Sequence, residues 1–216
     1  MTEVDRAAER LLRTAATLDD AALAAPSRLP GWTRGHVLTH VARNADAYTN
    51  LLTWARTGVE TPAYGSPTAR AEGIEAGAGR PADEQIADVR AAHERFADAA
   101  AAMPATAWRF VLPPTRSPAA AVPWARLREV EVHHVDLAAG YTPDDWTEAF
   151  AHRLLREIAV DTAGAAVPLV LRPHGLEHPL HIGDPAGAPE VSGPVGSLAA
   201  WLAGRADGSG AAATCR

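Results

Sequence analysis

The sequence predicts a mainly α protein: a helical bundle over residues 1–163, then a small α+β domain over 164–206 and a disordered tail over 207–216. Three observations carry that prediction. Apolar residues recur at steps of three and four through most of the first 163 residues, the period of helices with one buried face. Beyond Val167 the apolar runs shorten and are bounded by Gly and Pro, as strands joined by turns require. A chain of 216 residues that is 47% hydrophobic also has ample material for one core.

The elements follow in order. Val4, Ala8, Leu11, Ala15 and Leu18 share one face of a first helix, which Pro26 and Leu29-Pro30-Gly31 end. Thr33 is a good N-cap for a second helix, with Trp32 placed to staple its start. Val37, Leu38, Val41, Ala45, Leu51 and Leu52 point inward, and Gly58 is the stop. Thr61 to Pro81, rich in Gly, Pro, Ala and Ser, reads as a long connection with one helical turn. A third helix spans Ala82 to Met103 on Ile86, Val89, Phe96 and Ala100, and a Pro-rich connection follows to Pro123. A fourth covers Trp124 to Ala139. A fifth starts at Thr142-Pro143-Asp144-Asp145, with a cap, a proline and first-turn acids, and runs to Ala163 on Trp146, Phe150, Leu154 and Ile158. Val167–Leu171, with Pro168 inside it and Pro173 after it, reads as an edge strand; Leu176–Ile182 and Glu190–Ser192 are further strands. A last helix begins at Pro194 and ends at Gly204.

Composition removes whole classes of function. A single cysteine, Cys215, excludes a disulfide scaffold, a Cys-based metal site and a redox pair. No run approaches the roughly 18 apolar residues of a membrane span, and no secretory signal opens the chain. A net charge of −6 argues against a nucleic-acid surface. The reading at this level is a soluble, cytoplasmic protein. All 20 basic residues are arginine, and nine histidines stand out.

Two segments place polar groups where a bundle should be apolar. His36 and His40 are one helical turn apart, with His40 nearer the buried direction set by Val37, Leu38 and Val41. On the fourth helix, Glu129, His133 and Asp136 form a stripe beside the apolar face of Leu127, Val130, His134 and Leu137. A Glu and a His one turn apart at a bundle's inner edge suit a carboxylate–imidazole metal site, and His40 is the natural third ligand. A solvated stripe with a salt bridge to Arg126 or Arg128 fits the spacing equally well. His174, His178 and His181 would alternate faces on a strand, which argues against a shared ligand site.

Leu29-Pro30-Gly31-Trp32-Thr33-Arg34-Gly35-His36-Val37-Leu38-Thr39-His40-Val41-Ala42-Arg43-Asn44 resembles the second-helix signature of the mycothiol-dependent maleylpyruvate isomerases, within the wider DinB-like family of metal-binding helical bundles. The resemblance continues through Arg70-Ala71-Glu72-Gly73-Ile74-Glu75-Ala76-Gly77, Glu129–Leu137, and the ending Val191-Ser192-Gly193 … Trp201-Leu202-Ala203-Gly204-Arg205. It implies a DinB-like four-helix bundle with a small C-terminal domain. It also implies a divalent metal, expected to be zinc, held by His40, Glu129 and His133, with His134 packed and Asp136 orienting a neighbour. Arg205 resembles a family arginine that meets the substrate carboxylates. Arg34, Arg43 and Arg80 are expected to meet polar groups of the thiol cofactor, mycothiol. The implied reaction converts maleylpyruvate to fumarylpyruvate. A thiol with a pKa of about 8.5 ionises on metal coordination, and its reversible addition makes the cis double bond rotatable. Alternatives within the same site are a mycothiol S-transferase acting on another electrophile and a non-enzymatic metal-binding bundle.

Overall fold

The structure, a computed structural model, describes residues 1–162, 164, 167–209 and 212–214. Helix α1 (Thr2–Ala15) buries Val4, Ala7, Ala8, Leu11, Leu12 and Ala15, the face its spacing requires. A short helix absent from the sequence reading, α2 (Asp20–Ala24), follows, capped by Asp19, whose carboxylate accepts from the Ala22 N–H at 2.8 Å. Helix α3 (Arg34–Thr57) has the predicted limits. Thr33 caps its start, and Gly58 closes it in the left-handed region at φ 73°.

The connection between Thr61 and Pro81 differs from expectation, because it holds a ten-residue helix, α4 (Ala69–Ala78). Glycine costs about 1 kcal/mol in a helix interior, so Gly73 and Gly77 argue for a loop when read locally. Their neighbours supply the reason for a helix. A Cβ on Gly77 would lie 2.5 Å from Thr39 Cγ2, and one on Gly35 would lie 2.2 Å from the Ala78 carbonyl oxygen. The small residues let α4 lie directly on α3.

Helix α5 (Ala82–Ala101) buries Val89, Ala92, Phe96 and Ala100. The Pro-rich segment after it forms a two-residue hairpin, β1 (Val111–Leu112) with β2 (Ser117–Pro118). Helix α6 (Val122–Asp136) completes the bundle. Helix α3 packs on α4, α5 and α6, while α1 packs on α5 and α6. Leu11, Leu38, Leu52, Phe96 and Leu137 are fully buried among them.

The chain divides into two compact units, Met1–Tyr141 and Thr142–Arg216. The expected boundary after residue 163 therefore moves. Periodicity shows that a helix has a buried face but not which neighbour covers it. Helix α7 (Glu148–Asp161) buries Phe150, Leu154 and Leu155 and packs on α8 (Val195–Leu202), within the second unit. The predicted start at Thr142 yields a 3-10 turn over Pro143–Asp145, and Thr147 caps the helix proper.

The sheet of this unit runs β4–β3–β5–β6. Strand β3 (Leu169–Pro173) pairs antiparallel with β4 (Leu180–Ile182) and parallel with β5 (Glu190–Gly193), so it is central rather than an edge. Pro168 precedes it and Pro173 is its last residue, so neither removes an inner ladder donor. The expected disordered tail is corrected in part: Ala212–Thr214 form β6, antiparallel to β5. Its backbone takes up hydrogen-bonding groups that a free β5 edge would leave unpaired. Cys215 lies outside the described residues. Among those residues, no helix is long and apolar enough to cross a membrane.

Candidate metal centre

Three side chains from α3 and α6 converge inside the first unit. His40 Nε2 lies 3.0 Å from Glu129 Oε2 and 3.0 Å from His133 Nε2, and His133 Nε2 lies 3.4 Å from Glu129 Oε2. A tetrahedral ion with bonds of about 2.0–2.1 Å has ligand–ligand edges of about 3.3–3.4 Å, so the triangle matches one face of such a site. Among the described residues, this is the group of three or more His, Cys, Asp or Glu whose donor atoms could hold one ion. The alternative of a solvated charge stripe does not describe Glu129, because its carboxylate faces two imidazoles.

Burial and partners set the charges. His40 is only 3% exposed. Burial lowers its pKa, and the hydrogen bond to Glu129 offsets this only in part. Burial would raise Glu129, but bonds to His133 and His40 outweigh it and hold the carboxyl well below its usual range. For His133, burial works downward and is outweighed by bonds to Asp136 and Glu129, which raise it. The cluster thus presents an ionised carboxylate between two imidazoles, the donor set of a borderline divalent ion.

Asp136, 1% exposed, accepts from His133 Nδ1–H at 2.9 Å, fixing the ring with Nε2 turned to the centre. Asp136→Asn keeps an acceptor and removes the charge. It is expected to weaken zinc affinity about 10- to 100-fold, read by competition with a chromophoric chelator. Unchanged affinity would assign Asp136 to the fold alone.

The other histidines go elsewhere. His36 closes the α3 cap: its Nδ1 accepts from the Thr33 N–H at 3.2 Å, and its N–H donates to Thr33 Oγ1. Trp32 stacks on His36 and tilts against His40. His134 is buried, bonded to Thr14 Oγ1 at 2.8 Å and stacked on Tyr141. Arg126 is fully buried, donating to the Val41 carbonyl and to Asn44 Oδ1, both at 2.8 Å. Burial pulls its pKa down to about 10, so it remains a cation at neutral pH.

The four arginines expected to bind ligands have separate placements. Arg34 donates to the carbonyls of Leu137, Ala22 and Ala138 at 2.8, 3.1 and 2.9 Å. Arg43 and Arg80 each meet Asp88 at 2.6 Å. Burial opposes the Asp88 charge, but Arg80 and Arg43 outweigh it and hold the carboxyl low. Arg205 belongs to the second unit, where it donates to the Ala203 carbonyl. Sequence reasoning assigned no role to Arg70, whose NH2 lies 3.3 Å from His40 Nδ1. Arg70 lies on α4, the helix within that glycine-rich segment.

A family model described as the mycothiol maleylpyruvate isomerase N-terminal domain matches residues 4–138, most of the unit that carries this centre. The chain belongs to this family. Two solved structures of a mycothiol-dependent maleylpyruvate isomerase, one of them a histidine-to-alanine mutant, superpose at TM-scores of 0.92 and 0.91. Each is 32% identical to this chain, covering 99% of it and 90% of their own length. No curated protein sequence matches the chain. In this family member, His40 on one bundle helix and Glu129 and His133 on another form the group that could hold one ion.

Proposed function

We propose that the protein is a mycothiol-dependent cis–trans isomerase that converts maleylpyruvate to fumarylpyruvate in the cytoplasm, where thiols stay reduced. The observation that carries this reading is the convergence of His40, Glu129 and His133 in a chain that resembles the solved isomerase over 99% of its length. Zinc is the ion we assign to the centre. Held by these three residues, it supplies a Lewis acid that lowers the pKa of a thiol into the neutral range.

The chain's own residues do the rest. Glu129 contributes the single negative charge of the ligand set, and Asp136 orients His133. Trp32 covers the His40 ring and limits water there. The only cysteine in the sequence is Cys215, so the reacting sulfur comes from the cofactor. Arg43, Arg80 and Arg205 remain the proposed contacts for polar groups of cofactor and substrate. Arg34 does not, since its guanidinium is spent on the three carbonyls.

Incubating zinc-loaded protein with substoichiometric mycothiol and maleylpyruvate tests the reading. Fumarylpyruvate should accumulate over many turnovers with the free thiol undiminished. Thiol consumed one for one with substrate would make the protein an S-transferase. No turnover would leave a metal-binding bundle.

A further inference from the structure

Arg126 lies on α6, one helical turn before Glu129, and is fully buried. Its Nη1 reaches across to α3, donating to the Val41 carbonyl and to Asn44 Oδ1, both at 2.8 Å. Asn44 is itself buried and stands one turn beyond His40 on the same side of α3. One turn along each ligand-bearing helix, in opposite chain directions, thus leads from the His40–Glu129 contact to the Asn44–Arg126 contact. Arg34 brackets the triad from the other side, on the Leu137 and Ala138 carbonyls.

Arg126 is an expensive way to join two helices. A guanidinium taken out of water needs its donors paired. Here Nε and Nη2 are buried and meet no hydrogen-bond partner among the described residues. Burial works against the charge, and Glu129 is foremost among the groups that support it. An apolar side chain of similar size would hold the helices together at least as well. The guanidinium adds direction instead. Apolar contact is non-directional, whereas two hydrogen bonds to fixed points on α3 are satisfied at one register only.

We propose that Arg126 is a positioning residue for the metal centre. Its contacts to Val41 and Asn44 fix the register of α6 against α3, so that Glu129 and His133 meet His40 at ligand spacing. A ligand set must be held to within about 0.5 Å of its working geometry, and a contact one turn from the triad, made to the opposite helix, supplies that constraint. The role rests on the metal ligands assigned above and not on the reaction assigned to them.

Arg126→Met and Asn44→Ala, made singly and together in the full chain, test the proposal. By chelator competition, zinc affinity should fall about 10- to 100-fold in Arg126→Met, and by less in Asn44→Ala, which leaves the Val41 contact. The double variant should bind like Arg126→Met, because both substitutions act through one contact. Urea unfolding in excess chelator should place the Arg126→Met midpoint at or above that of the unsubstituted protein. The visible spectrum of bound cobalt(II), which reports ligand geometry, should change in Arg126→Met. A lowered midpoint, with or without weaker zinc binding, would make Arg126 a residue of the fold alone. Tighter zinc binding would mean that it acts on the ion as a like charge. Additive losses in the double variant would separate the two residues. Each of these results overturns the proposal. Should Arg126→Met fail to fold, Asn44→Ala decides: weaker zinc binding supports the register, and unchanged affinity refutes it. If the unsubstituted protein binds neither zinc nor cobalt, the ligand assignment fails and the positioning role falls with it. If it binds both without isomerising maleylpyruvate, only the reaction is lost, and the affinities still decide what Arg126 does.

Discussion

His40→Ala protein, purified and incubated with excess zinc, should retain far less than one ion per chain and isomerise at the background rate. His40 supplies the only ligand from α3, and the triangle it closes has edges of 3.0, 3.0 and 3.4 Å. The two ligands left on α6 define a line rather than a face. Affinity should fall by more than the roughly 10- to 100-fold typical of losing an outer-shell partner, which sets this variant apart from Asp136→Asn. The bundle should persist, because the neighbouring Leu38 and Val41 remain fully buried. Elemental analysis after gel filtration, alongside the circular dichroism spectrum, makes the measurement. Full metal content in a folded variant would remove His40 from the centre.

Gly35→Ala should destabilise the first unit by about 2–3 kcal/mol despite alanine's better helix propensity. The new Cβ would stand 2.2 Å from the Ala78 carbonyl oxygen and 3.0 Å from Gln85 Nε2. The carbonyl is backbone, so relief requires moving the end of α4. Gln85, 1% exposed, donates to the Ala78 and Arg80 carbonyls at 3.1 and 2.8 Å, and those bonds would stretch or break. Overpacking costs about 1–3 kcal/mol and a buried donor left unpaired about 1–3 more, against a propensity gain of about 1 kcal/mol. Gly73→Ala is the internal control. Its Cβ would meet only the flexible Arg43 side chain at 3.6 Å, so it should stabilise by about 0.5–1 kcal/mol. Urea unfolding followed by tryptophan fluorescence compares the two. Equal midpoints would mean that the α3–α4 contact yields freely.

These contrasts mark what was legible in the sequence. Helix α3 could be bounded to the residue, because Thr33 and Gly58 are local signals whose chemistry acts within one turn. Glu129 and His133 were readable as a pair because helical spacing alone puts them on one side. Pairing them with His40 needed the helices brought together, and there the family resemblance carried what spacing left open. Helix α4 was hidden for a physical reason. Gly73 and Gly77 lower local helix preference, while their value appears only against α3, a tertiary quantity with no local trace. Arg70 stood in the family motif with no role assigned to it. Helix α7 was visible as a helix, but its unit was not, since a buried face carries no label for its partner. Pro168 and Pro173 misplaced β3 because a proline's harm depends on whether its position needs a ladder donor.

Arg34 has a consequence for how the protein tells metals apart. From the first turn of α3 it grips the Leu137 carbonyl, one turn past His133 on the other ligand-bearing helix, and the Ala138 carbonyl beside it. The two helices are fastened to each other by protein alone. The contact between the two helices therefore does not pass through the three side chains of the candidate centre, unlike small zinc domains that fold around their metal. Two imidazoles and one carboxylate also suit a borderline divalent ion better than calcium, which takes six to eight oxygen ligands. Removing an ion bound there should therefore leave the two helices packed through Arg34.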